Sequence, residues 1–245
     1  MNQININELL NNALALHHQG KLDDADEIYQ LVINGDANNF QANHLHGCIL
    51  SQKMQFEEAI TFLEKAISIE PNNYEANNNL GIAYKNIKNF VNSEKYFKNA
   101  ISIDSNNYKA LFNCANLYIE SDKYEEALNY LEKSSNADIL FAEAPQRIGE
   151  VYQYMFQSDR SLTHLHSSKK YFLLAIERDE KYADAYLMLG MSSLWLGEIN
   201  EADKLFKKVE FMHPYFDQNT LNKQKNLIQL QNKQNILFCG SYFGY

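Results

Sequence analysis

Apolar residues recur at helical spacing along most of the chain and break off at short polar turns. Between positions 74 and 103, Leu80, Ala83, Tyr84 and Ile87 form one apolar stripe, and Phe90, Phe97, Ala100 and Ile101 form a second. NIKN (86–89) separates the two stripes and DSNN (104–107) follows them, polar residues suited to turns. The pattern predicts two amphipathic helices, each with one face to bury. It then returns: EPNNYEANNNLGIAYKN (70–86) is nearly rewritten 34 residues later as DSNNYKALFNCANLYIE (104–120). An active site needs its groups once, whereas a structural unit can be copied.

The copying has a register. Ala13, Gly47, Gly81, Ala115 and Gly149 are spaced by 34, and Gly190 follows after 41. Three positions after these small residues stand Leu16, Leu50, Tyr84, Tyr118, Tyr152 and Ser193, and twelve after the first four stand Ala25, Ala59, Ser93 and Ala127. Small residues such as Gly81, Ser93 and Ala100 let helix backbones approach, and Tyr84 and Phe97 fill the space that opens. NLGIAY (79–84), MLGMSS (188–193) and EEAITFLEKAISIEP (57–71) carry the W-x2-L-G-x2-Y, A-x3-F and P signature. Over residues 6–216 the chain therefore resembles the tetratricopeptide repeat (TPR) family. The resemblance implies an all-α, right-handed superhelix, an α-solenoid of about six helix-turn-helix repeats, bounded at 6–39, 40–73, 74–107, 108–141, 142–182 and 183–216.

The fifth repeat is seven residues too long. Its anchors IGEVY (148–152) and YFLLAI (171–176) are intact, so the extra length falls between them; the simplest expectation is a longer second helix from about Ser161, forming a local protrusion. Residues 217–235 suit a polar capping helix, since the last stacked face of a solenoid is otherwise open to water. The tail ILFCGSYFGY (236–245) suits a strand or the start of a further domain.

Composition agrees with helices: 245 residues with only nine Gly and three Pro. A net charge of −9 with no basic run argues against nucleic acid and anionic membrane as partners. The start MNQININELLNN lacks the pattern of a leader, and no apolar run reaches bilayer length, which makes the cytoplasm the expected location. Cys48, Cys114 and Cys239 lie far apart without a C-x-x-C pair, so reduced thiols are expected. His17 and His18 lie late in one helix and His44 and His46 early in the next copy, an offset of roughly 10 Å. His164 and His166 point apart. No metal site, cofactor motif, phosphate loop or nucleophile elbow is expected, and therefore no enzyme.

In TPR proteins the first helix of each repeat lines a concave, peptide-binding face. Carried onto this sequence, that lining comprises Asn11, His44, Asn78, Asn79, Lys85, Lys109, Phe112, Asn113, Asn116, Arg147, Glu150, Tyr154, Leu187 and Trp195. Asn11, Asn79 and Asn113 each stand two before the small residue, and an amide offers a peptide backbone both donor and acceptor. Similar Asn ladders occur in the TPR arm of O-linked N-acetylglucosamine transferases. The carboxylate clamp of chaperone adaptors is incomplete here, although Lys109 and Arg147 favour an acidic ligand. The first expectation is thus a scaffold binding an extended peptide or partner segment in its groove. The alternative is the recognition arm of a longer, glycosyltransferase-like enzyme beginning its next domain at NILFCGSYFGY (235–245). Self-association through the open first repeat or through the apolar Leu187, Met188, Met191, Leu194 and Trp195 patch is a third expectation.

Overall fold

The computed structural model describes residues 6–212 as twelve α-helices joined by short turns. The expected cap (217–235), the tail (236–245), Pro214 and Cys239 lie outside the described residues. The chain divides into two compact units between Leu117 and Tyr118.

The first unit holds α1 (Ile6–His18), α2 (Leu22–Gly35), α3 (Phe40–Gln52), α4 (Phe56–Ile69), α5 (Tyr74–Asn86), α6 (Phe90–Ile103) and most of α7 (Tyr108–Glu120). α1 packs on α2, α3 on α4 and α5 on α6, and α2 and α4 pack in turn on the next first helices, α3 and α5. The small residues set how closely they meet. A Cβ built on Gly81 would lie 2.6 Å from the Phe97 ring, and one on Gly47 would lie 2.8 Å from Leu63. Ser93 donates to the Gly81 carbonyl at 2.8 Å, so this close approach also carries a buried hydrogen bond. Tyr84 stacks on Tyr96 with centroids 5.6 Å apart, which is where the aromatics spaced three and fifteen beyond the small residue meet.

Asparagine starts the first helices. Asn39, Asn73 and Asn107, spaced by 34, accept the backbone N–H groups of Ala42, Ala76 and Ala110 at 2.9, 3.0 and 3.0 Å, satisfying donors that a helix start leaves unpaired. Asn43 and Asn77 are buried at the place where the family signature has Trp. Their amides donate to the Ala37 and Asn39 carbonyls and to the Pro71 and Asn73 carbonyls, tying each helix to the turn before it.

The turns inside the helix pairs share one conformation. Gly20, Met54, Lys88, Asp122, Arg160 and Gly197 all have positive φ, and the residue after the first-unit turns returns its N–H to the helix, as in Asn89 to the Tyr84 carbonyl at 2.9 Å. A left-handed conformation costs a side chain with a Cβ energy that glycine avoids. Lys88→Gly is therefore expected to raise unfolding free energy by about 0.5–1 kcal/mol, read as a higher urea midpoint.

The second unit holds α8 (Tyr124–Ala137), α9 (Glu143–Asp159), α10 (Leu162–Arg178), α11 (Ala183–Trp195) and α12 (Ile199–Met212). Here the seven extra residues are shared. α9 and α10 have 17 residues each, where α5 has 13 and α6 has 14, so the expectation of one longer helix is corrected to one added turn on each arm. The addition is packed inward as well: Phe156, in the added turn of α9, is buried and stacks on Trp195 at 5.8 Å. Gly149 keeps its place against Phe172, where a Cβ would lie 2.5 Å from the ring. Arg178, ending α10, donates to the Ser135 and Phe141 carbonyls at 3.0 Å and closes the end of α8.

Candidate functional site

Spacings of 35 recur between the side chains of successive first helices. In the first unit Gln52 meets His17 at 3.3 Å, Asn79 donates to His44 Nε2 at 3.0 Å, and Asn113 donates to Asn78 Oδ1 at 3.0 Å. In the second, Gln153 donates to the Met188 carbonyl at 3.1 Å and to Ser192 Oγ at 2.9 Å. In the first unit one repeat of 34 residues brings a side chain to the same height on the next helix, and one further residue turns it toward its neighbour; the Gln153 contact lies in the longer repeat and reaches a backbone carbonyl and a hydroxyl instead. The first helices are thus cross-linked by amides along the faces expected to bind.

This changes what the asparagines offer. Asn79 is half-buried and its amide also approaches Cys48 Sγ at 3.2 Å. His44 is buried, which lowers its pKa and keeps Nε2 a neutral acceptor for Asn79. Burial pushes the Cys48 thiol up to about 12, so it stays protonated and unreactive. Asn79 therefore turns its N–H groups back onto α3 rather than outward. Asn113 and Asn78 are half-buried and engaged with each other, Asn116 is half-buried, and Asn11 and Lys109 are exposed. Lys85 is half-buried near the end of α5.

In the second unit Arg147 is joined to Glu150 Oε2 at 2.6 Å, and Gln146 donates to Glu150 Oε1 at 3.0 Å. The Arg147 charge is thereby balanced locally, which weakens its attraction for an acidic ligand. Tyr154 stacks with Tyr124 at 6.0 Å. Leu187 and Trp195 do not line an open face. With Met191 and Leu194 they are buried in a cluster containing Phe156 and Phe206, because the added turn of α9 reaches Trp195.

Sequence reasoning passed over Asp26 and weighed His46 only as a metal ligand. Asp26, which stands in the acidic run DDADE (23–27), is buried and meets His46 Nδ1 at 2.5 Å, with Gln30 and Lys53 each at 3.3 Å from its other oxygen. The His46 ring stands edge-on to Phe62 at 4.3 Å. Asp26 stands one after the small Ala25 and His46 one before Gly47, a local signal that both could face inward. Among the described residues no three His, Cys, Asp or Glu side chains converge as metal ligands, and no helix is long and apolar enough to cross a membrane.

Paired helices with a small residue against a large one, repeated along the chain, define an all-α helical-repeat protein. Profiles of the tetratricopeptide repeat match residues 47–87, 88–138 and 184–210; the chain belongs to the TPR superfamily, whose repeats serve as protein-interaction scaffolds. No curated protein matches the sequence. Similar solved structures include PilW, a type IV pilus biogenesis factor (TM-score 0.77, 21% identity, 90% of this chain and 100% of that one). Pseudomonas aeruginosa PilF is similar at TM-score 0.72 and 13% identity, covering 94% of this chain and 97% of its own. YrrB, described as a TPR protein with an unusual peptide-binding site, is similar at TM-score 0.59 and 16% identity, covering 84% and 97%. At these identities the likeness is one of fold.

Proposed function

We propose that this chain is a non-catalytic scaffold that holds an extended peptide segment against the first-helix faces of its repeats. Within the first unit the candidate contacts are Asn11, His44, Asn78, Asn79, Lys85, Lys109, Asn113 and Asn116; within the second, taken by itself, they are Arg147, Glu150 and Tyr154. The observation carrying the reading is the amide cross-linking of successive first helices. Polar side chains held before a guest arrives lose little freedom on binding. The Asn113–Asn78 bond uses one N–H and one carbonyl, leaving the Asn78 amide hydrogens and the Asn113 carbonyl to pair with the alternating acceptors and donors of an extended backbone. The peptide-binding site of the similar YrrB supports the same reading.

The affinity expected of such a face is micromolar, about −8 kcal/mol. Peptides selected from a random library against the full chain would be titrated by fluorescence anisotropy into wild type and Asn113→Ala/Asn116→Ala. Binding is expected to weaken at least about tenfold, while the lost Asn113–Asn78 bond lowers stability by only about 1 kcal/mol. Peptides that bind both proteins equally would reject this assignment of the face.

A further inference from the structure

Ile139 and Leu140 stand side by side in the turn between α8 and α9, 70% and 78% exposed. The corresponding turns carry Ala37 and Asn38, Pro71 and Asn72, Ser105 and Asn106, and Glu180 and Lys181, so this turn departs from the others in offering two large apolar side chains to water. Its backbone is fixed. Asp138 accepts the Leu140 N–H at 2.9 Å, the Phe141 N–H reaches the Asp138 carbonyl at 3.3 Å, and Arg178, at the end of α10, donates to the Ser135 and Phe141 carbonyls. Apolar side chains carried on a backbone already held in place lose little freedom when something covers them.

The end of α12 lies at the same edge of the second unit. Arg178 sets the end of α10 beside the turn at 138–142, α11 begins just after the next turn, and Lys208, late in α12, donates to the Tyr186 hydroxyl near the start of α11 at 2.7 Å. The chain beyond Met212 therefore departs from the edge that carries Ile139 and Leu140. Its sequence suits that edge. Ile236, Leu237 and Phe238 form an apolar run, and Lys223, Lys225 and Lys233 outnumber Asp217, whereas Glu143, Asp179 and Glu180 stand exposed at the edge against Lys181. A stretch as long as 213–235 spans roughly 35 Å at helical rise, while neighbouring helix axes lie about 8–10 Å apart.

We propose that Ile139 and Leu140 form a docking surface for the C-terminal segment of this same chain, with Ile236, Leu237 and Phe238 covering them and the lysines before that run drawn to the acidic edge. Apolar cover and positive charge are what the turn lacks, and this segment carries both. The docking does not depend on the peptide-binding reading above.

Cys239, next to Phe238, supplies the probe. In the full chain, Leu140→Cys treated with oxidised glutathione is expected to form an intramolecular disulfide with Cys239, detected by mass spectrometry as a cross-linked peptide pair. It should form at least about tenfold faster than in Leu162→Cys, an exposed apolar site at the other end of α10 from Arg178. Adding Ile139→Ser to Leu140→Cys should slow trapping at least about fivefold, and adding Asp179→Lys/Glu180→Lys about threefold. All of these side chains are exposed, so each variant should melt as wild type does. Equal trapping at positions 140 and 162, trapping at neither, or a rate indifferent to Ile139→Ser or to the charge reversal would overturn the proposal. Disulfide-linked dimers in place of the intramolecular product would assign the surface to the tail of a second copy and equally reject docking within one chain.

Discussion

Phe97→Ala is expected to lower unfolding free energy by about 3–5 kcal/mol, read as a fall in urea midpoint and as lost hydrogen-exchange protection centred on α5 and α6. Phe97 is wholly buried, and its ring lies where Gly81 presents no side chain. Removing the ring leaves a cavity in a fold where each repeat is supported chiefly by its immediate neighbours, so the damage should remain local. The reverse change tests the same contact. Gly81→Ala puts a methyl 2.6 to 2.7 Å from two ring carbons, and the enclosed ring has little room to yield, giving a cost of about 1–3 kcal/mol. Combining Gly81→Ala with Phe97→Leu should cost less than the two changes summed, by about 1 kcal/mol or more. The chain already writes that combination at the corresponding positions of the next copy, Ala115 and Leu131. Strict additivity would show that Gly81 and Phe97 do not set the helix approach.

The second large effect is expected at Asp26. Its carboxylate is buried between α2 and α3 with His46 at 2.5 Å, so Asp26→Ala strands His46 in the interior and removes an acceptor from Gln30 and Lys53. Removing one member of a buried pair typically costs about 3–5 kcal/mol. Asp23→Ala is the control. Asp23 also bonds Lys53, at 2.8 Å, but its side chain is 89% exposed, and its loss should leave the melting temperature nearly unchanged. Asp26→Leu with His46→Phe replaces the pair by apolar groups beside Phe62 and should recover most of the loss, since well-packed apolar substitutes for buried ion pairs are often neutral or better. A single variant at Asp26 with wild-type melting would show that the pair carries no stability.

The sequence disclosed the helix pairs because the small residue and its large partner fall in one register: Gly81 with Phe97 and Gly47 with Leu63, sixteen apart in each case. The asparagines were harder. Asn39, Asn73 and Asn107 also keep the 34-residue spacing, yet a surface amide and a helix cap look alike until the backbone N–H is seen pointing at it. On the candidate face, Asn79 and Asn113 were legible as side chains of the first helices, but the direction of their hydrogen bonds depends on His44 and Asn78, one repeat and one residue away. Asp26 and His46 belong to different repeats, and only the side-chain conformations join them. Phe156 escaped notice because the longer fifth repeat has no counterpart elsewhere in the chain with which to align it.

That longer repeat sets a rule for altering the chain. Four residues on α9 and three on α10 come close to one full revolution apiece, at 3.6 residues per turn. Gly149 and Phe172 consequently still face each other across 23 positions instead of sixteen. An insertion of five or nine residues at the same tip would swing one arm out of phase and turn its apolar stripe toward water, whereas further whole revolutions would lengthen the hairpin like extra courses in a wall. This tip is where a graft could be built onto the chain without disturbing the layers beneath it.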